Sequence, residues 1–295
     1  MVLHTSLSVH KVHRKGEHRW PRYPASSSSR IRLSFISDFT LLIDTGSSDL
    51  WVTSSQKIKL NSTTNTTVNL TYGLGSAYGN IVYAPVSFGD YQVDNQAFLS
   101  VSKADDQDAE GILGLGLNGL SDIERTTKNT SAQSVMASLF AQHPSTPHLI
   151  GLALERSEDG EETAGGYLSI GEYDPKYKNV TYTPKIPVTP TSVARWTIPM
   201  DAMMINSKRF PLTSGIKGTK KGQAIALIDS GTSLAYIPSD AVDAIYSQIN
   251  GSVHVKTADQ DAWFVPCLGQ LNLSFTFACV SFVSCFSRMP SRPGC

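Results

Sequence analysis

The chain has almost no charge imbalance. Its 295 residues carry 25 Lys and Arg against 25 Asp and Glu, for a formal net charge of +0. Nothing in that total argues for a nucleic-acid partner. Long apolar runs are also missing. The nearest, Leu271–Phe286, is broken by Asn272, Ser274, Thr276, Ser281 and Ser284, so it falls short of the ~18 uninterrupted apolar residues that a membrane-spanning helix needs. Met1–Lys15 lacks the apolar core of a secretory signal. Cysteine is scarce: there are four, and Cys279, Cys285 and Cys295 crowd the final stretch beyond Cys267. The even count suggests disulfides, with the pairing left open. Four of the seven histidines, His4, His10, His13 and His18, lie near the start without cysteine or a well-placed carboxylate beside them. No metal site is expected there. Gly114-x-Gly116-x-x-Gly119 has the spacing of a dinucleotide fingerprint, but no Asp or Glu lies between Glu124 and Glu155. Without the ribose-holding acid or a surrounding βαβ pattern, that reading is excluded, and no cofactor is expected.

The neutral total hides an asymmetry. Residues 1–32 hold seven basic residues (Lys11, Arg14, Lys15, Arg19, Arg22, Arg30 and Arg32) against Glu17 alone, leaving a body with 18 basic and 24 acidic residues. Seven of the eleven asparagines begin an Asn-X-Ser/Thr triplet: Asn61, Asn65, Asn69, Asn129, Asn179, Asn250 and Asn272. Chance would give a minority, so a glycosylated, secretory-pathway protein is expected, secreted or vacuolar. That expectation conflicts with the missing signal and implies that the N-terminus given is incomplete or misassigned.

Two stretches repeat each other. Leu41–Val52 reads LLIDTGSSDLWV and Ala226–Ile237 reads ALIDSGTSLAYI, aligned without gaps at an offset of 185 residues. In each, an apolar run leads to Asp, then Thr or Ser, then Gly. Such a run places a strand in a core and its carboxylate at the edge. Gly46 and Gly231 let the chain bend where a Cβ would clash. Ser47 and Thr232 are placed to donate hydrogen bonds to the carboxylates. A single triplet would be an ordinary turn; two in matched apolar settings resemble the signature of the pepsin-like aspartic proteases, built from two similar lobes with one Asp each, and that resemblance implies paired carboxylates. Two carboxylates a few Å apart share one proton, because joint ionisation is resisted. One can then take a proton from water while the other polarises a carbonyl. Asp44 and Asp229 are the candidate pair, and which one carries the proton is left open.

The same resemblance implies an all-β, bilobal, double-β-barrel fold with a few short helices, and an endopeptidase that hydrolyses peptide bonds at acidic pH without a metal. Tyr72-Gly73-Leu74-Gly75-Ser76 reads as a hairpin tip between β-like segments. It resembles the family's flap, with Tyr72 covering the cleft and Trp51 supporting it. Ile112-Leu113-Gly114 resembles the family's strand that crosses under the first Asp loop and locks it.

The resemblance also sets domain expectations. Residues 1–32 form a basic, propeptide-like leader. Residues 33–172 form the first lobe, residues 173–277 a partial second lobe, and residues 278–295 an atypical tail. The match is read as stopping after Phe277, as from a shifted frame or retained intron, and the second locking strand is missing. A helix is expected over Ser131–Gln142 and another over Ala241–Ile249, with strands over Val180–Val188 and Arg195–Met204. The implied partners are polypeptide substrates and statine-type, pepstatin-like inhibitors, bound by a monomer. The competing reading is a non-catalytic peptide-binding protein on the same scaffold, inactive because the second lobe is incomplete.

Overall fold

The computed structural model describes residues 30–34, 38–53, 58–73, 75–88, 90–105, 110–154, 166–232, 235–257, 261–267, 269–278 and 280–286. The leader expected before residue 30, Leu74 of the hairpin tip, Cys279 and Cys295 lie outside the described residues.

The first half is one sheet of seven strands. They are β1 (Arg30–Ser34), β2 (Asp38–Asp44), β3 (Leu50–Thr53), β4 (Ser62–Thr71), β5 (Ser76–Phe88), β6 (Tyr91–Asp105) and β7 (Gly111–Gly114). Their order is β1-β2-β7-β3-β6-β5-β4, and β1 also touches β5, which curls the sheet toward a barrel. The central strands are buried on both faces, and their sequences are accordingly continuous apolar runs rather than alternating ones. Leu41, Ile43, Leu50, Val52 and Leu113 enter one core cluster. Trp51, Ile112 and the half-buried Leu42 enter a second on the opposite face. Each such side chain contributes roughly 1.5–3 kcal/mol on burial. β4 is the outer strand, where Val68 and Leu70 turn inward and their neighbours face out. The segment Ser62–Thr71 is thus the edge strand of the sheet.

Two short helices, α1 (Asp122–Thr127) and α2 (Val135–Gln142), follow β7, and the hairpin of β8 (Ile150–Leu154) and β9 (Gly166–Ile170) comes next. The second half is less consolidated. β10 (Thr197–Met200) pairs with β13 (Ala224–Leu227) as a two-stranded sheet. β11 (Ala202–Ile205), β12 (Lys208–Phe210), β16 (Leu271–Phe277) and β17 (Val280–Phe286) form a four-stranded one. β14 (Val253–Lys256) and β15 (Asp261–Phe264) form a hairpin beside α3 (Ser239–Tyr246). Their core gathers Met203, Ile205, Leu212, Ala241, Ile245, Ile249, Leu271 and Leu273.

Several local expectations are corrected. Residues 175–182 form a 3-10 helix, not a strand. Asp174 accepts from Lys176 N and Pro175 opens the first turn, a combination that starts a helix. The strand expected over Arg195–Met204 is broken at Asp201 into β10 and β11. α2 starts at Val135, not Ser131. α3 starts at Ser239 and ends at Tyr246. β1 begins at Arg30, inside the segment assigned to the leader. β17 runs antiparallel to β16 from Phe277↔Val280 to Leu271↔Phe286. Cys267 is disulfide-bonded. Among the described residues, no helix is long and apolar enough to cross a membrane.

Candidate active site

The first Asp loop is clamped from below. β7 runs parallel to β2, with Asp44 opposite Gly114. Leu115 N donates to Asp44 O at 2.7 Å, Gly116 N to Ser47 O at 2.7 Å and Gly114 N to Asp49 O at 3.0 Å. A Cβ on Gly114 would lie 2.5 Å from the carbonyl carbon of Ser48, so only glycine fits this crossing. Ile112-Leu113-Gly114 therefore lies where expected.

The second Asp loop meets the first face to face. A Cβ on Gly46 would fall 2.6 Å from Asp229 Cγ, and one on Gly231 would fall 2.6 Å from Asp44 Cγ. The absence of a side chain at both glycines is what lets the two carboxylates come together, and the charge of Asp44 acts on Asp229. Gly46 N donates to Asp44 Oδ1 at 2.7 Å, and the Ser47 hydroxyl makes a short bond to Asp44 Oδ2. Gly231 N donates to Asp229 Oδ1 at 2.8 Å. Thr232 occupies the place equivalent to Ser47 and is exposed.

The carboxyl of Asp229 is pushed up from 3.8 to about 6. Burial is the largest cause, then the negative charge of Asp44 and the hydrogen bond with it; Gly231 N–H and the Arg195 cation pull the other way. Asp44 itself is only 6% exposed.

Four hydrogen bonds made by the middle residues of the triplets join the loops. Thr45 Oγ1 donates to Ile228 O at 2.8 Å and accepts from Ser230 N at 2.9 Å. Ser230 Oγ donates to Ile43 O at 2.8 Å and accepts from Thr45 N at 3.1 Å. The sequence reading passed over these two hydroxyls in favour of Ser47 and Thr232. The signal was present, because Thr45 and Ser230 are themselves 185 residues apart. Trp196 Nε1 adds a bond to Leu115 O at 2.8 Å, and Arg195 Nη1 one to Gly46 O at 3.2 Å. No sequence pattern marked either residue.

Above the first loop, β4 and β5 form the expected hairpin, with Thr71 opposite Ser76 and Tyr72 N bonded to Gly75 O at 3.1 Å. Gly75 has φ +78, which glycine adopts without strain. Gly73 has open space around it. Tyr72 packs on the cluster that contains Trp51. Burial, then the Asp44 charge, push its phenol well up, while hydrogen bonding from Trp51 opposes the shift. The phenol is therefore protonated, a donor close enough to the carboxylates to feel them. Trp51 is fully buried, and its Nε1 lacks a partner with full hydrogen-bond geometry. The indole–phenol contact is mainly packing, with a weak polar component.

Asp49, five residues after Asp44, caps α1 from a distance. Its carboxylate accepts from Ser121 Oγ at 2.5 Å, Asp122 N at 2.8 Å and, weakly, Ile123 N at 3.4 Å. Burial pushes it up to about 6, against these hydrogen bonds. The seven triplet asparagines, Asn61, Asn65, Asn69, Asn129, Asn179, Asn250 and Asn272, are all exposed.

The sequence profile described as eukaryotic aspartyl protease matches residues 36–288, so the match does not stop at Phe277. Major aspartyl peptidase 1 of Cryptococcus neoformans is 26% identical over 270 residues, 83% of this chain and 53% of that protein. Polyporopepsin of Irpex lacteus is 31% identical over 222 residues, 73% of this chain and 62% of that protein. The chain thus spans roughly half to three-fifths of these relatives. The crystal structure of the aspartic proteinase from Irpex lacteus superposes with a TM-score of 0.66 at 24% identity, covering 88% of this chain and 76% of the other, which shows the fold. The profile takes in both Asp-Gly loops, the hairpin between them and most of the second half, and by that extent the chain belongs to the eukaryotic aspartyl protease family.

Proposed function

We propose that the protein is an acid endopeptidase in which Asp44 and Asp229 share one proton and activate a water molecule against a peptide carbonyl. The observation that carries this reading is the close approach of the two loops, each carboxyl set against the glycine of the opposite loop. Asp229 has the raised pKa and holds the proton in acid. Asp44 receives Gly46 N–H and the Ser47 hydroxyl, which fix the orientation of its carboxyl. As the anion it takes a proton from the water, while the Asp229 hydroxyl polarises the scissile carbonyl. The proton then passes to the leaving nitrogen. Tyr72, protonated and half-buried above the pair, closes over an extended substrate as the flap. Ser47 and Thr232 hold the carboxylates coplanar, assisted by the Thr45–Ser230 bonds.

The seven exposed triplet asparagines support a glycosylated, secretory-pathway protein. The test is digestion of an unfolded protein substrate between pH 3 and 7. Activity confined to acid and blocked by a statine-type inhibitor is expected; absence of acid-dependent cleavage rejects the reading.

A second reading has its own support. Among the described residues β13 pairs with β10 alone, and Leu227 and Tyr236, on either side of Asp229, are 40% and 74% exposed. A loosely held second loop fits a protein that binds peptides without cutting them. Tight inhibitor binding with no turnover would favour this alternative.

A further inference from the structure

Arg195 stands at the crevice between the two Asp loops with its cation unanswered. Its backbone is tied down: Arg195 N donates to Val193 O at 2.8 Å, and Thr197 N donates to Arg195 O at 2.8 Å. The following residue, Trp196, is pinned to Leu115 O. The half-buried side chain is therefore aimed by a fixed stretch of chain. It reaches the first loop, where Nη1 donates to Gly46 O at 3.2 Å. Gly46 abuts Asp229, and the Arg195 charge is felt by that carboxyl. The guanidinium thus lies beside the crevice in which the endopeptidase reading places the peptide.

A guanidinium has five N–H donors in a planar fork suited to a carboxylate. Here the described partner is a single neutral carbonyl. Among the described residues no ion pair includes Arg195. Asp229 is the acid it faces, and the pair of carboxylates to which Asp229 belongs is committed to the shared proton. Withdrawing a cation from water without an anionic partner is costly unless something arrives to complete it.

We propose that Arg195 is a specificity-determining residue that selects substrates carrying a carboxylate side chain, Asp or Glu, within two residues of the bond to be cut. This rests on the acid-endopeptidase reading and adds the substrate class to it. The remaining donors of Arg195 form a charge-assisted pair with that carboxylate when the peptide lies in the crevice.

The test uses matched peptides that differ only by Glu or Gln, scanned over two residues on each side of the scissile bond. At pH 3 the substrate carboxyl, with an ordinary pKa of ~4.3, is neutral, and the Glu/Gln ratio of kcat/KM is about 1. At pH 5.5 it is ionised, and at one position the ratio rises about tenfold, the size of a single charge-assisted hydrogen bond. Arg195→Met brings the ratio back to about 1 at both pH values whatever its absolute rate, while Arg195→Lys keeps part of the preference. Because the ratio is taken within one protein, any effect of the substitution on Asp229 cancels. Cleavage of both peptides with no preference at any position at pH 5.5 overturns this inference and leaves the endopeptidase reading standing. Cleavage of neither peptide, nor of an unfolded protein, overturns both.

Discussion

Thr45 and Ser230 exchange places across the crevice. Each hydroxyl donates to a carbonyl two residues before the other, Ile228 O and Ile43 O, and each accepts the other's backbone N–H. The arrangement has its own two-fold symmetry and ties the strand carrying Asp44 to the strand carrying Asp229. The spacing of the carboxylates is set here, by neutral groups that do not titrate.

Thr45→Val keeps the shape but leaves Ser230 N and Ile228 O without their partner, at a cost of about 1–3 kcal/mol. Ser230→Ala breaks the same network, so the double variant is expected to lose less than the sum of the singles. Urea unfolding of the four proteins measures this; simple additivity would show that the two hydroxyls act independently.

On the proposed mechanism, Asp44→Asn and Asp229→Asn each take away one of the two carboxyls that share the proton. Each is expected to lower hydrolysis by at least about 10²–10⁴-fold, with the far-ultraviolet dichroism unchanged. Substantial turnover in either variant, measured on an unfolded protein at the acid optimum, would refute the two-carboxylate mechanism.

The raised pKa of Asp229 sets the alkaline limb of the rate profile near pH 6. Arg195 pulls that value down, so Arg195→Met moves the limb to higher pH. A limb that stays in place would mean that the guanidinium is screened from the carboxyl.

Stability has a pH dependence of definite sign. Asp49 and Asp229 are both raised from 3.8 to about 6, so the folded state holds their protons more tightly than the unfolded chain. Their contribution is complete below about pH 4 and is lost as pH rises through about 6. For the deeply buried Asp49 the loss is roughly 2–3 kcal/mol at most. Denaturant midpoints at pH 4.5 and 7 should fall in that order, and Asp49→Asn should flatten the difference. A midpoint that rises toward neutrality would contradict the burial argument.

The glycines separate by what surrounds them. Gly46→Ala and Gly231→Ala drive a methyl into the opposite carboxylate and should cost most of the activity. Gly73→Ala meets open space and should be tolerated. Gly75→Ala is forced to φ +78 and costs about 1 kcal/mol of hairpin stability. Equal activity in Gly46→Ala and Gly73→Ala would show that the loops have room the geometry does not give them.

The repeated apolar-Asp-Thr/Ser-Gly stretch made the site legible because its physics is local: a buried strand, a tight bend and a carboxylate between them. The hairpin at Tyr72 was legible for the same reason, whereas the crossing at Gly114 was legible only through the resemblance to the family. α1 was not, although its N-cap Ser121, which accepts from Glu124 N, is local: a six-residue helix has little periodicity of its own, and the added support from Asp49 reaches Asp122 across 73 residues of chain. The helical turn at residues 175–182 was misread because the apolar residues Val180 and Tyr182 suggested a strand, while the start signal at Asp174 and Pro175 was stronger. Arg195 gave no sign, since its importance arises only when two distant loops meet.

β2 is wedged between β1 and β7, whereas β13 has β10 on one side. A vice with one firm jaw and one yielding jaw slackens at the yielding one first. On warming, Asp229 should drift from Asp44 while the seven-stranded sheet is still intact. Loss of inhibitor binding should then precede loss of circular dichroism, in two separate thermal steps.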